Sequence, residues 1–277
     1  MVGWRSDTLI YRRDKPLSGI MDRNHIHPGL IVAAIFALVL ASGCAGVHPL
    51  PGGNSTLASA GTPEGAVALP EPSFKGNVSV EEALRERRSV RVYAEVPLTL
   101  SDLGQVLWAA QGVTDDRGYR TAPSAGALYP LEVYVVAGDV MDLEPGIYRY
   151  QPGEHLLILT ASGDQRAALQ AAAVNQTSVG DAPATIVICA VPDRTTAKYG
   201  DRGMRYVFME AGHAAENVYL QAAAINLGTV TIGAFDDGEV REVLGLPENT
   251  TPLYLMPLGR PVPGSGGDGG TPVGGGG

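Results

Sequence analysis

Thr121-Ala-Pro-Ser-Ala-Gly-Ala-Leu-Tyr-Pro130 runs directly into Leu131-Glu-Val-Tyr-Val-Val-Ala137. Proline, glycine and small residues dominate the first half. They fix the backbone and let a flat ligand approach the main chain closely. The second half is short, apolar and rich in β-branched residues, which spells a strand. A rigid loop feeding a strand is either a structural turn or a ligand cradle that offers the Ser124 hydroxyl.

Upstream of the loop, Ser79-Val-Glu-Glu82 has the capping-box pattern and opens a short helix. That helix runs into Arg85-Glu-Arg-Arg-Ser-Val-Arg91. A second helix is predicted from Ser101 to Gln111, with Gly112 suited to the residue after its end. Downstream, Gly146–Tyr150 and Leu156–Thr160 read as a strand pair around Gln-Pro-Gly-Glu-His. Asp164–Val174 reads as an Ala-rich helix and Ala184–Val191 as a fully apolar central strand. Met204–Leu227 reads as a long helix rich in small residues, followed by a strand at Thr229–Ile232, a helix at Asp236–Leu244 and a last strand at Pro252–Leu258. Helices and strands mix without strict alternation, which points to an α+β fold. No Gly-x-Gly-x-x-Gly follows a strand, so a Rossmann cofactor site is not expected. No spacing of His, Cys, Asp and Glu suggests a metal site.

The termini differ in composition. Leu30–Ala41 is one apolar block, too short to span a bilayer, which needs roughly 20 residues. It fits the core of a signal peptide, and Ala41-Ser-Gly-Cys44 after it resembles a lipobox with Cys44 as the acylated residue. Residues 1–44 are therefore expected to be an export segment of a membrane-anchored lipoprotein facing outside the cytoplasm. Residues 45–77 read as a flexible linker, residues 78–262 as the folded domain, and the Gly-rich residues 263–277 as a disordered tail. The chain of 277 residues carries a formal charge of −9. Without the first 43 residues, 15 basic and 26 acidic residues remain. That surface is a poor match for nucleic acid. Cys189, inside the apolar run Ala184–Val191, reads as a buried strand cysteine.

Two clusters carry the chemistry. Arg87-Arg88-Ser89-Val90-Arg91 places three guanidinium groups and a hydroxyl within five residues of an acidic domain. Planar guanidinium forks suit phosphate oxygens; a solvated basic face is the alternative. Further on, Lys198-Tyr-Gly-Asp-Arg-Gly-Met-Arg-Tyr206 leads into Glu210-Ala-Gly-His-Ala-Ala-Glu-Asn217. Thr231-Ile-Gly-Ala-Phe235 and Leu258-Gly-Arg-Pro261 follow.

With the Pro-Ser-Ala-Gly loop, these motifs in this order resemble the nitroreductase superfamily, and within it the SagB-type azoline dehydrogenases, over about residues 78–262. The resemblance implies a nitroreductase-like α+β fold: a mixed, mainly antiparallel sheet flanked by helices, with FMN at the interface of a homodimer. It implies that Arg87, Arg88, Ser89 and Arg91 hold the FMN phosphate and ribityl chain. Gly259 and Arg260 approach that phosphate from the C-terminal side. Pro123, Ser124, Ala125 and Gly126 line the flavin ring, and Ile232 and Gly233 pass near its reactive edge. Lys198 and Tyr199 match a catalytic pair, the lysine as base and the tyrosine as hydrogen-bonding assistant. A lysine needs a lowered pKa for that work, from burial or from Arg202 or Arg205 nearby. A surface lysine beside an anchoring tyrosine is the alternative, and His213 reads as a packed interface residue.

The implied function is an FMN-dependent oxidoreductase that takes hydride from a small-molecule or peptide substrate. Export separates the domain from the cytosolic NAD(P)H pool, so a dehydrogenase is expected. The alternatives are an NAD(P)H-dependent nitroreductase or flavin reductase, and a non-catalytic flavin-binding lipoprotein.

Overall fold

The computed structural model describes residues 65–262; the expected export segment with Cys44 and the Gly-rich residues 263–277 lie outside them. Seven strands form one sheet. In chain order they are β1 (Ala66–Ala68), β2 (Leu131–Ala137), β3 (Gly146–Gln151), β4 (Leu156–Ser162), β5 (Ala184–Ala190), β6 (Gly228–Thr229) and β7 (Thr251–Gly259). Their order across the sheet is β1-β4-β3-β2-β5-β7-β6. Every ladder between these strands is antiparallel. The expected mixed character survives only in isolated parallel bridges, Ser89 with Thr229 and Leu98 with Val140.

Alternation along the central strands explains their apolar composition. Leu131, Val133 and Val135 of β2 and Ile186 and Ile188 of β5 enter one core. Helices α2 (Leu100–Gln111) and α6 (Arg202–Ala224) cover that face through Leu103, Leu107, Val207 and Ala211. Tyr134, Val136, Val187 and Cys189 point the other way, against Leu169, Val240 and Leu244. The latter come from α3 (Arg166–Ala172) and α7 (Asp237–Leu244). Strands covered on both faces have no polar side to show, so a continuous apolar run is what such positions require. Cys189 is fully buried, and burial pushes its thiol well above the ordinary cysteine range.

Local signals place the helix ends. In α1 (Val80–Glu86) the Ser79 side chain takes the Glu82 N–H and the Glu82 carboxylate takes the Ser79 N–H, a complete capping box. Gly112 closes α2 for a different reason from the one expected. Its φ is −61°, so left-handed freedom is not used. A Cβ there would sit 2.1 Å from the Trp108 ring; the glycine makes room for the indole.

Five elements depart from the sequence reading, among them the strand expected at Thr229–Ile232, which pairs with β7 only as Gly228–Thr229, Ile232 adding an isolated bridge to Leu255. Ala66–Ala68, inside the expected linker, pairs with β4 as an edge strand. Thr177–Asp181 forms α4 and Asp193–Tyr199 forms α5, both unforeseen. The long helix starts at Arg202 and stops at Ala224, before Asn226 with φ +58°. Its 23 residues span about 34 Å at 1.5 Å per residue. Its small residues Ala211, Ala214, Ala215 and Ala222 face the protein's own sheet. They are therefore not a surface through which a second copy could approach. The outward face instead shows Phe208, Met209, Gly212, His213 and Glu216.

Candidate active site

The basic motif lies where α1 ends. Val90 N–H donates to Thr229 O at 2.9 Å, so the segment continues the sheet beyond β6. Gly228 permits this: a Cβ on it would come within 2.6 Å of the Val90 Cβ. Tyr219 of α6 ties three motifs together. Its hydroxyl lies 3.2 Å from Ser89 Oγ and takes the Thr231 N–H at 2.8 Å, while Arg87 stacks 5.1 Å from its ring centre. Sequence reasoning missed Tyr219, although its place in the buried series Ala211, Ala215, Val218, Ala222 marks it as inward-facing.

Two guanidinium groups, Arg87 and Arg88, border this point, and Arg91 follows in the same segment. Arg87 lies 3.8 Å from Glu216, and Arg88 donates to the carbonyls of Arg85 and Arg87. Arg91 is exposed and makes no hydrogen bond or ion pair among the described residues. A cleft of about 340 Å³ opens between Arg87, Arg88, Tyr219, Thr229 and Pro261. Arg260, just after β7, does not line that cleft; Asp102 holds it at 2.9 Å. Gly259 itself is buried, because a Cβ would press within 2.9 Å of the Tyr93 ring and 3.0 Å of Pro183. Ile232 N–H donates to Leu255 O at 2.8 Å. Of the two loop amides, that of Gly233 is therefore the one left unpaired, and open space lies where its Cβ would be.

The second grouping lies around the loop before β2. Gly126 has φ +65°, and non-glycine Ala127 and Tyr129 have φ of +53° and +46°. Holding three left-handed residues in one short loop needs strong local support. Ser124 Oγ accepts the Tyr129 N–H at 2.9 Å. The end of α5 closes over the glycine: a Cβ on Gly126 would lie 2.8 Å from Tyr199 Oη and 3.0 Å from Lys198 Nζ. Lys198 and Tyr199 thus stand against the Gly126 backbone, Lys198 from across 72 residues of chain. Tyr199 also packs edge-on to Tyr206, ring centres 5.1 Å apart. Pro123 and Gly126 are exposed, Ser124 and Ala125 half-buried, and Lys198 is exposed. His213, expected to be packed, is exposed in the isolated chain.

Beneath the loop sits Glu210, only 2% exposed. Burial pushes its carboxyl up to about 7, against the opposing pull of the Ser124 hydroxyl and Arg120. Arg120 donates to Gln111 Oε1 at 2.9 Å and lies 4.6 Å from the Tyr129 ring centre. The helical spacing that buries Val207, Ala211 and Ala214 could have flagged Glu210 as an acid on an inward face.

Among the described residues no group of His, Cys, Asp and Glu could hold a metal ion. No helix there is long and apolar enough to cross a membrane.

Known proteins resemble this chain in sequence and fold. A Methanocaldococcus jannaschii protein named as a nitroreductase is 49% identical over 185 residues, 67% of this chain and 92% of that one. A nitroreductase structure from Ralstonia eutropha superposes with a TM-score of 0.64 at 33% identity, covering 73% of this chain and 92% of that one. The microcin B17-processing protein of Escherichia coli is 27% identical over 146 residues, 50% of this chain and 54% of that protein. Residues 84–260 match the model of the nitroreductase family. The chain belongs to that family of flavin oxidoreductases.

Proposed function

We propose that the chain is an FMN-dependent dehydrogenase of the SagB type, oxidising a small-molecule or peptide substrate. The observation that carries this reading is the placement of Lys198 and Tyr199 against the Gly126 backbone. A base and a hydroxyl donor there stand beside the loop on which a flat ring can lie. The similarity to the microcin B17-processing protein supports a peptide substrate.

The residues fit a flavin mononucleotide. Arg87 and Arg88 border a cleft that suits a phosphate, with Arg91 free to join them. The Gly233 amide is an unpaired donor beside open space. Bound FMN supplies the hydride acceptor. Arg87, Arg88 and Arg91 would hold its phosphate, and Arg260 would reach it only on leaving Asp102. Lys198 takes the substrate proton as hydride departs, and Tyr199 donates a hydrogen bond to the substrate. Purified protein is expected to release FMN on denaturation. Arg91→Ala is expected to weaken FMN binding by about 1.5–3 kcal/mol, the range of a charge-assisted hydrogen bond. Isothermal titration measures it, and undiminished affinity moves the phosphate elsewhere.

A second reading, an NAD(P)H-dependent nitroreductase, draws on the 49% identical relative. Anaerobic addition of NADPH separates the two, since rapid bleaching of the flavin favours the nitroreductase.

The active form is a homodimer. Phe208 and Met209 stand 54% and 53% exposed on the outer face of α6, apolar surface that a second copy would cover. Sedimentation of flavin-loaded protein as a monomer overturns this. The chain is an exported lipoprotein anchored through Cys44, supported by the Ala41-Ser-Gly-Cys44 pattern after an apolar block. Wild type is expected in the membrane fraction and Cys44→Ala outside it; identical fractionation rules out lipidation.

A further inference from the structure

Between the edge strand β1 and the capping box at Ser79, residues 69–78 cross the domain as a strap, and one histidine holds its near end. Leu69 N–H donates to the His155 carbonyl at 3.1 Å. The His155 ring lies between two partners. Its Nδ1 is 2.8 Å from the Tyr150 hydroxyl and its Nε2 is 3.1 Å from the Pro70 carbonyl. Helix α2 is shaped to receive them. A Cβ on Gly104 would lie 3.4 Å from the Leu69 Cβ and 3.5 Å from His155 Nε2. A glycine, unfavourable inside a helix, thus lets both approach.

Beyond that point the hold is light. Gln105 of α2 accepts the Ser73 N–H at 2.7 Å and donates to the Ser73 carbonyl at 3.1 Å. Phe74 meets Trp108 edge-on, ring centres 5.5 Å apart, yet stays 74% exposed. Of residues 69–78 only Leu69 is buried. Segments with few buried apolar groups are the first to open. The strap walls a cavity of about 710 Å³, which Phe74 and Lys75 line together with Asp102 and Trp108 of α2 and Leu220 and Gln221 of α6.

The proton positions at the histidine follow from its partners. A carbonyl only accepts, so Nε2 carries the hydrogen toward Pro70. Nδ1 of the neutral ring then accepts the Tyr150 O–H. A second proton, on Nδ1, turns that acceptor into a donor. The Tyr150 hydroxyl is buried and has no other hydrogen bond among the described residues. Its own proton would lose its acceptor, which is costly in a buried place. The charges nearby do not remove this cost. Glu71 of the strap favours the cation, and Glu154, next to the histidine in its turn, is exposed. Arg120 acts on Tyr150 from the far side of the phenol. Helix α2 meets the ring at Gly104, and its Asp102 is paired with Arg260. Burial outweighs Glu71 and the Pro70 carbonyl and holds the ring below its ordinary pKa of 6.5.

We propose that His155 is an acid-sensitive latch: the neutral ring pins the 69–78 strap to β3 and α2, and its protonation releases the strap and opens the cavity behind it. A released ring takes its proton at the ordinary pH, a latched ring only at a lower one. Closure is therefore at full strength above pH 6.5 and weakens as pH falls below that value, by up to about tenfold per pH unit for one proton.

The test is amide hydrogen exchange of the full chain from pH 5 to 8, read by mass spectrometry, each rate divided by the intrinsic rate at that pH. Wild-type peptides covering residues 69–78 are expected to lose roughly tenfold in protection between pH 6.5 and 5, while peptides from β2 and β5 keep theirs. His155→Gln retains an Nε2 donor for Pro70 but cannot titrate, so its strap protection is expected to stay level. A wild-type strap that stays level, a strap that loses protection only together with β2 and β5, or a glutamine variant that follows wild type overturns the proposal. Proton NMR titration of the wild-type imidazoles stands apart from how the variant folds. A His155 signal that titrates below pH 6.5 supports the latch, and one that titrates at or above it overturns it.

Discussion

Lys198→Ala is expected to slow flavin reduction by substrate roughly 10²–10⁴-fold, the usual loss of a general base. Nothing else in the folded domain should change much. The side chain is exposed, makes no ion pair among the described residues, and lies beside the Tyr199 ring and the Gly126 backbone. Its removal leaves the arginine cleft at the far end of α6 intact, so FMN content stays close to wild type. Oxidation of the chemically reduced protein by oxygen needs no base at this position and should proceed at the wild-type rate. Stopped-flow absorbance of the two half-reactions separates them. A variant reduced as fast as wild type assigns Lys198 to packing against the loop and favours hydride transfer without a base.

Glu210→Gln is expected to alter how stability depends on pH, and the sign is fixed. The folded state raises this carboxyl from 4.5 to about 7, so it binds the proton more tightly than the unfolded chain does. Its contribution is complete below pH 4.5 and is lost as pH rises through about 7. The lost stability is on the order of 3 kcal/mol at 1.36 kcal/mol per pKa unit. His155 works in the opposite direction. Burial lowers its pKa from 6.5, so its contribution is lost as pH falls below that value. The informative quantity is therefore the difference between wild type and Glu210→Gln in urea denaturation from pH 5 to 8. The glutamine variant should gain on wild type as pH rises. Two denaturation series that run parallel across that range would mean that the carboxyl is not held as a buried acid.

Long elements with a clear hydrophobic period were legible in the sequence: α2, α6, α7 and the four central strands emerged within a few residues of their observed ends. Short elements were not. Ala66–Ala68 is three residues and Thr177–Asp181 five, too short to display a period, and both are fixed by what they pack on. The α5 helix holds only Thr195 inside, so no apolar stripe announced it. The site divides in the same way. Its motifs could be read in order, because residue type alone carries them. The seating of Lys198 against Gly126 is a tertiary fact that chain order does not encode. The Ile232 and Gly233 amides looked equivalent until the bridge to Leu255 engaged one of them.

An open antiparallel sheet has two rims, and each is a template for an uninvited strand. Here β1, on one rim, is three residues long and β6, on the other, is two. Beyond β6 the exposed backbone is taken up by Ser89 and Val90, in a segment that carries Arg87, Arg88 and Arg91. Charge on an edge repels a second sheet, so the motif proposed to grip a phosphate also guards the fold against edge-to-edge aggregation. Neutralising those arginines together should cost solubility as well as cofactor.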